Sequence, residues 1–430
     1  ATTWTFSSAS IPTVATLTIN ADGSYTFTTY APLVHPTSNI SEDGIDIGFA
    51  YTVTDGDGDK ASGSLIVNIN DDTPTVSNVE SGAVTENEIR LAIVNGSFQA
   101  ETMAAGAPGV IVHPLGNHTS TAPTGWTLSN GGTVDPVNAI TNPTGPSGTN
   151  VAWLHSGTTL AQTTVHTLVG GASYKLAFDF GDRTDQDWSG GQARLVAVPG
   201  SGVPVVLASV DLTDPGNGQW AHLLLNTGPV DPAYAGWSLR IEIQQTGASD
   251  IFHQIMVDAV QLSMIPPITD SGSLGISWGA DGIGSVAFST ALDNLTVPLT
   301  SHGQQLTYAL SIGGTLLTAT AGGRIVFTVA LDQSGSGTWT YTQFDALDHD
   351  NASGRGESFG ISFGFVATDG DGDKATGNIS ITVTDDTPVV GAVTSSVTLD
   401  EDDLAGGNDS TKEPLQVTGN LVIDLGIDGG

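Results

Sequence analysis

The heptapeptide TDGDGDK stands at residues 54–60 and again at 368–374, so Asp55, Asp57 and Asp59 are matched by Asp369, Asp371 and Asp373. In an extended chain residues two apart share a face, and the intervening glycines free the backbone to curl, so three carboxylates can converge on one point. Packed without a cation they repel one another. Several oxygen ligands on a pliant backbone are what Ca2+ takes, and calcium is the expected cofactor. The spacing matches the first three ligand positions of an EF-hand loop, but no glutamate follows at the twelfth position and strand-like sequence flanks the loop. The alternative is a solvated hairpin turn that binds nothing. Downstream of each heptapeptide comes DDTP, which sets Asp71 and Asp72, and then Asp385 and Asp386, beside connectors carrying Glu86, Glu88, Asp400, Glu401 and Asp402. These acids either clamp calcium between neighbouring domains or form a polar linker.

A second constellation is GDRTDQDWSGG at 181–191. Sugars are held by planar hydrogen-bond partners and an aromatic face, or by a calcium ion that accepts vicinal hydroxyls, and Asp182, Arg183, Asp185, Asp187 and Trp188 offer materials for each. In the competing reading Arg183 pairs with a neighbouring acid and Trp188 packs against a strand. The histidines of this region (His113, His118, His155, His166, His222, His253) are scattered without paired zinc-ligand spacing. No G-x-S-x-G elbow and no phosphate loop occurs, so no catalytic residue is assigned and an enzyme is not expected. Paired carboxylates for glycoside hydrolysis are a three-dimensional matter that sequence does not decide.

The elements that position these residues are strands. Residues 51–76 align without a gap to 365–390, with 14 of 26 positions identical, and LTINADGSYTFTTY at 17–30 matches VALDQSGSGTWTYT at 329–342 in type. TDSGSLGISWGADG at 269–282 shares its Gly, Leu, Ile and Asp landmarks with VTGNLVIDLGIDGG at 417–430. The chain therefore divides into the back part of one repeat (1–80), an inserted module (89–265), a nearly complete repeat (268–390), and an acidic connector with the start of a third (391–430). The module differs in charge, with a net of -7 over 89–264 against -28 for the rest, and it holds five of the eight tryptophans. Short alternating strands separated by Gly, Pro, Asn and Asp turns run throughout, which predicts β-sandwiches in every domain.

Net charge -35 with 45 acids against 10 bases excludes nucleic acid as a natural partner and favours divalent cations. No apolar run is long enough to span a membrane, no signal peptide is visible, and the absence of cysteine leaves no disulfide staples. The chain opens mid-pattern and stops at IDGG, which reads as a monomeric piece of something longer.

The paired DGDGDK and DDTP motifs, the GSLxIxxGADG opening and the acidic bias resemble the tandem Ig-like repeats of RTX adhesins, the giant bacterial adhesins exported by type I secretion. That likeness covers about 250 residues. It implies calcium-rigidified extender domains at the bacterial surface, in a biofilm-type adhesin; the glycine-rich nonapeptide repeats and secretion signal of that family are missing. The insert, through VNGSFQAE (94–101), GWTL (125–128), YKLAFDFGDRTD (174–185) and MVDAVQLS (256–263), resembles the galactose-binding-like jelly rolls of carbohydrate-binding modules. The resemblance implies that its opening and closing strands lie side by side and share a calcium at Asn95, Gln99, Glu101 and Asp258; Gln99 departs from the glutamate of the motif. The expected whole is an all-β chain of Ig-like sandwich repeats, one split by a lectin-like jelly roll that binds a cell-surface glycan or glycoprotein. The alternatives are a module that grips a peptide or protein, a spacer without ligand, and a glycosidase or lyase that degrades a polysaccharide.

Overall fold

The computed structural model of the chain describes residues 1–35, 44–101, 110–111, 118–119, 121–129, 132–136, 150–155, 157–184, 187–188, 190–247, 253–289, 299–349, 358–386, 389–390 and 423–424. It is all-β, as the alternating patterns predict, and falls into three units.

The first unit is a three-stranded sheet of Thr2–Phe6, Ala15–Ile19 and Tyr25–Thr29, with a long hairpin, Gly44–Thr54 on Lys60–Asn70. The rings of Phe6, Phe27 and Phe49 meet at 5.5–6.4 Å between centroids and join sheet to hairpin. The hairpin turn is TDGDGD itself.

The second unit is a full sandwich. One sheet has the order Ile268–Ser273, Thr338–Gln343, Arg324–Asp332, Leu316–Ala321, Thr307–Leu310. The other runs Ile283–Phe288, Ser358–Asp369, Lys374–Thr384, Gly82–Thr85. Inward-facing Phe327, Trp339, Tyr341, Phe363 and Phe365 fill the space between them, because period-two alternation places every second residue on the buried face. Residues 75–86 belong here and not to the first repeat, which corrects the boundary at residue 80. Thr75–Val76 pairs with Ile276–Ser277, Gly82–Thr85 adds in parallel to Lys374–Thr384, and the Trp339 indole donates to the Glu80 carbonyl at 3.0 Å. Val84, buried in the sandwich core, is the physical reason. The insert is thus spliced into the sandwich itself, two strands after the domain has begun.

The insert is a second sandwich of jelly-roll type. Its larger sheet centres on His253–Ile265, flanked by Ser173–Gly181 and Asn150–His155, with Ile89–Leu91 paired to the same central strand. The opposing sheet has the order Thr127–Leu128, Thr159–Thr167, Ser238–Gln245, Gly191–Val198, Val205–Leu212. Its foot rests on the second unit: Ser173 Oγ donates to the Phe344 carbonyl (2.9 Å), Ile265 packs on Ala346, and Lys175 pairs with Glu88 at 2.5 Å.

Candidate functional site

The two DGDGD turns are built alike. In the first, Asp55 Oδ1 accepts from the amides of Asp57, Gly58 and Asp59 (3.3, 3.1 and 2.9 Å); in the second, Asp369 Oδ1 accepts from Gly372 and Asp373 (3.1 and 2.8 Å). The fourth position needs glycine, because Gly58 and Gly372 sit at φ 102° and 116°. The leading aspartate is therefore a turn cap, and its interaction with the Asp57 side chain, followed by the amides it satisfies, holds the Asp55 carboxyl below the usual carboxylate range.

Their surroundings differ. The first turn is fully exposed, whereas in the second Asp369 and Asp373 are 3% and 1% exposed. What covers the second turn is the end of the first unit. Carboxylate oxygens of Asp71, from DDTP, Asp281, from the GADG turn, and Asp371 all lie within 4.8 Å of one another. Asp72 Oδ2 accepts from Ala280 N at 2.6 Å and clasps the GADG turn, and the His35 amide donates to Asp371 Oδ2 at 3.4 Å. Asp71 Oδ2, Asp369 Oδ2 and Asp371 Oδ1 are buried and accept no hydrogen bond. Burial, followed by the neighbouring Asp373 and Asp371, pushes the Asp71 carboxyl up to about 6; burial and the surrounding aspartates likewise raise Asp281 and Asp369. All-oxygen donors, crowded and under-satisfied on glycine-bearing turns, fit a hard divalent cation.

The second DDTP is placed differently. A carboxylate oxygen of Asp385 groups with Glu86 and His349 instead of with another DGDGD turn. Of the connector acids, Glu86 is buried in the second sandwich and Glu88 is paired to Lys175 of the insert. Asp386 is half-buried, and Asp400, Glu401 and Asp402 lie outside the described residues.

In the insert the opening and closing strands do lie side by side, and the Val260 amide donates to the Gly96 carbonyl at 2.9 Å. The donor set there does not fit calcium. Gln99 Nε2 donates to the carbonyls of Ser97 (2.6 Å) and Asn150 (3.0 Å), so an N–H donor already satisfies oxygens that a cation would use. Asn95 Nδ2 and Thr124 N donate to Glu101, and the buried Asp258 accepts from Ala259 N at 2.7 Å. The four residues named for the expected calcium thus form a hydrogen-bonded knot with their neighbours.

The 181–191 loop also departs from expectation. Asp182 and Arg183 are buried, at 1% and 8% exposure; the Arg183 guanidinium stacks 3.7 Å over the Trp153 ring and donates to Gln254 Oε1 at 3.1 Å. Trp188 packs on Phe180 with centroids 5.9 Å apart. These residues knit the sheet end together rather than standing in an open loop. Asp185 and the side chain of Asp187 lie outside the described residues.

An open polar face lies elsewhere, on the outside of the five-stranded sheet. In SLRIEIQQ at 238–245, Leu239, Ile241 and Ile243 point into the core and Arg240, Glu242 and Gln244 point out. Arg240 Nη2 meets Glu242 Oε1 at 2.5 Å, Arg194 Nε lies 3.4 Å from Glu242 Oε2, and Arg194 Nη2 donates to Gln244 Oε1. With Thr127, Thr159 and Thr163 they line a groove of about 520 Å³. The alternation R-x-E-x-Q was legible in the sequence, but only the neighbouring strands show that Arg194 joins it.

Comparison with known proteins gives two family matches. A model described as HpiC1 cyclase (HpiC1-like) matches residues 89–263, and a domain of unknown function, DUF5801, matches residues 235–382; each covers less than half of the chain. Among solved structures, a cyclase from Fischerella sp. TAU is 19% identical over 42% of this chain and 98% of its own, with a TM-score of 0.35. TmCBM61 in complex with β-1,4-galactotriose is 16% identical over 40% of this chain and 95% of its own, TM-score 0.24. The CBM22-1–GH10 modules of Clostridium thermocellum endo-1,4-β-D-xylanase 10B, complexed with xylohexaose, are 12% identical over 34% and 27%, TM-score 0.25. No curated protein matches the chain.

Proposed function

We propose that this chain is a stretch of an extracellular bacterial adhesin of the RTX type, in which calcium-stiffened sandwich repeats carry a docked β-sandwich module that binds surface glycans. The observation that carries the scaffold half is the meeting of Asp71, Asp281 and Asp371 within 4.8 Å, at the seam between two repeats, with buried oxygens that accept no hydrogen bond. Asp71, Asp281, Asp371 and Asp373 would hold the ion, while Asp369 caps its turn and Asp72 fixes the facing one. Bound calcium would supply the charge neutralisation these side chains lack.

Recognition is assigned to the groove on the five-stranded sheet. Arg194, Arg240 and Gln244 present planar donors on rigid strands, cross-braced by Glu242, and such groups pair with the hydroxyls of a saccharide. A glycan array probed with the calcium-loaded chain tests this. Saturable binding that Arg240→Ala and Arg194→Ala weaken at least tenfold supports it; binding to peptides alone, or no saturable ligand, refutes it.

A second reading has the module acting as an enzyme of cyclase type, favoured by the HpiC1-like match to 89–263. It predicts that a small organic ligand is converted, seen as a new species by mass spectrometry, whereas recognition without chemistry returns the ligand unchanged.

A further inference from the structure

We propose that Glu86, His349 and Asp385 form a binding site for a divalent transition-metal ion of the zinc class, distinct from the calcium-type cluster between the repeats. The three residues come from separate segments of the second sandwich. Glu86 directly follows strand Gly82–Thr85, Asp385 directly follows the parallel strand Lys374–Thr384, and His349 lies in the loop after Thr338–Gln343. One ligand atom from each lies within 4.8 Å of the others.

Glu86 is set as a metal-ligating carboxylate is set. It is 1% exposed; its Oε1 accepts from Leu347 N at 2.9 Å and from Gln343 Nε2, and Gln343 is itself held by the Tyr341 hydroxyl at 2.9 Å. Hydrogen bonds of this kind orient a ligand from behind. They leave Oε2 buried, accepting no hydrogen bond, and 3.5 Å from His349 Nε2. Asp385 Oδ1 is likewise buried and accepts none, and the His349 ring is fixed against Phe359 with centroids 4.8 Å apart.

The imidazole decides the ion. Calcium and magnesium take oxygen ligands, whereas one imidazole nitrogen with two carboxylates suits zinc and its neighbours. The same offset of 314 residues that relates Asp71 to Asp385 relates His35 to His349, and His35 Nε2 lies 3.8 Å from Asp71 Oδ1. A histidine beside the first aspartate of DDTP is thus part of each repeat. In the first it borders an all-oxygen cluster; in the second, Glu86 completes a compact mixed site that pins the root of the insert to the end of the sandwich.

The test uses the full chain, stripped with chelator and returned to millimolar calcium. Titration with zinc by calorimetry is expected to show one site per chain that excess calcium does not displace and that His349→Ala and Asp385→Asn each weaken at least tenfold, while His222→Ala leaves it unchanged. Cobalt bound to the unmutated chain should give visible d–d absorption that zinc abolishes, a readout free of any folding defect in the variants. Absence of a zinc site, loss of zinc to calcium, or affinity indifferent to both variants overturns the proposal. None of these results bears on the calcium reading, which is judged with zinc absent.

Discussion

Replacing Asp281 by asparagine separates a cation site from a merely polar seam, because the two give opposite signs in chelator. Its carboxylate lies within 4.8 Å of those of Asp71 and Asp371. At that distance a pair of unit charges repels by about 0.9 kcal/mol with water-like screening and about 3.5 kcal/mol at an effective dielectric of 20. Asp281→Asn removes two of the three repulsions, so the metal-free chain should gain at least about 1.7 kcal/mol, or roughly 3–7 °C in Tm at about 2–4 °C per kcal/mol. Calcium at a hundred times its Kd stabilises the parent chain by about 2.7 kcal/mol; a hundredfold loss of affinity leaves the variant about 0.4 kcal/mol. Scanning calorimetry with calcium and with excess chelator should therefore show the variant melting higher than the parent when stripped, with most of the calcium increment gone. High salt should shrink the gain in chelator. A variant that melts lower than the parent in chelator, or keeps the full calcium increment, refutes the reasoning.

The same seam sets a pH response. Asp71 is pushed from 3.8 to about 6, chiefly by burial, so in chelator its contribution is fully present below its unfolded value and lost as pH rises through about 6. The stripped chain should gain stability, at most about 3 kcal/mol, as pH falls from 7 to 4, while calcium affinity falls over the same window; thermal melts and calcium titrations at stepped pH check both signs. In the insert, Gln99→Glu should make the stability of the hydrogen-bonded knot depend on metal. A carboxylate facing the Ser97 and Asn150 carbonyls should cost about 1–3 kcal/mol in chelator and be relieved by calcium, seen as a calcium-dependent shift in the melting of the insert that the parent lacks.

Much of this was legible from pattern. The TDGDGDK and DDTP copies, in register over 26 residues, set out the repeat, and the short alternating strands between turns set out the β-sandwiches. What stayed hidden is what depends on contacts across the chain. Nothing local in SNVESGAVTENE shows that Gly82–Thr85 completes the sheet of a domain that resumes at residue 268, or that Glu86 ends up beside His349. The sequence of 181–191 did not show that Arg183 is buried, because charge is an unreliable sign of exposure once a partner exists: Arg183 finds Trp153 and Gln254. At Gln99 one amide in place of a carboxylate inverts the demand of the site from a cation to acceptors.

The seam has a polarity that follows from its parts. DDTP and the strand after it face forward, while the GADG and DGDGD turns face back, so one clasp requires the end of one sandwich and the start of the next. The strand pairing supports this. Val76 pairs with Ile276 at the first junction, and Val390 pairs with Ile423 at the second, residues that occupy matching places in the repeat. Because the insert leaves the second sandwich after residue 86 and returns at 266, both its tethers lie inside one such unit. Its foot is held there by Asp345, which accepts from Arg324 and His302 at 2.9 and 3.0 Å and from Asn226 of the insert at 3.3 Å. Under the proposed reading, stiffness along the chain and orientation of the module come from different contacts: crowded carboxylates that would hold a cation at the seam, and a buried carboxylate already paired with Arg324 and His302 at the foot.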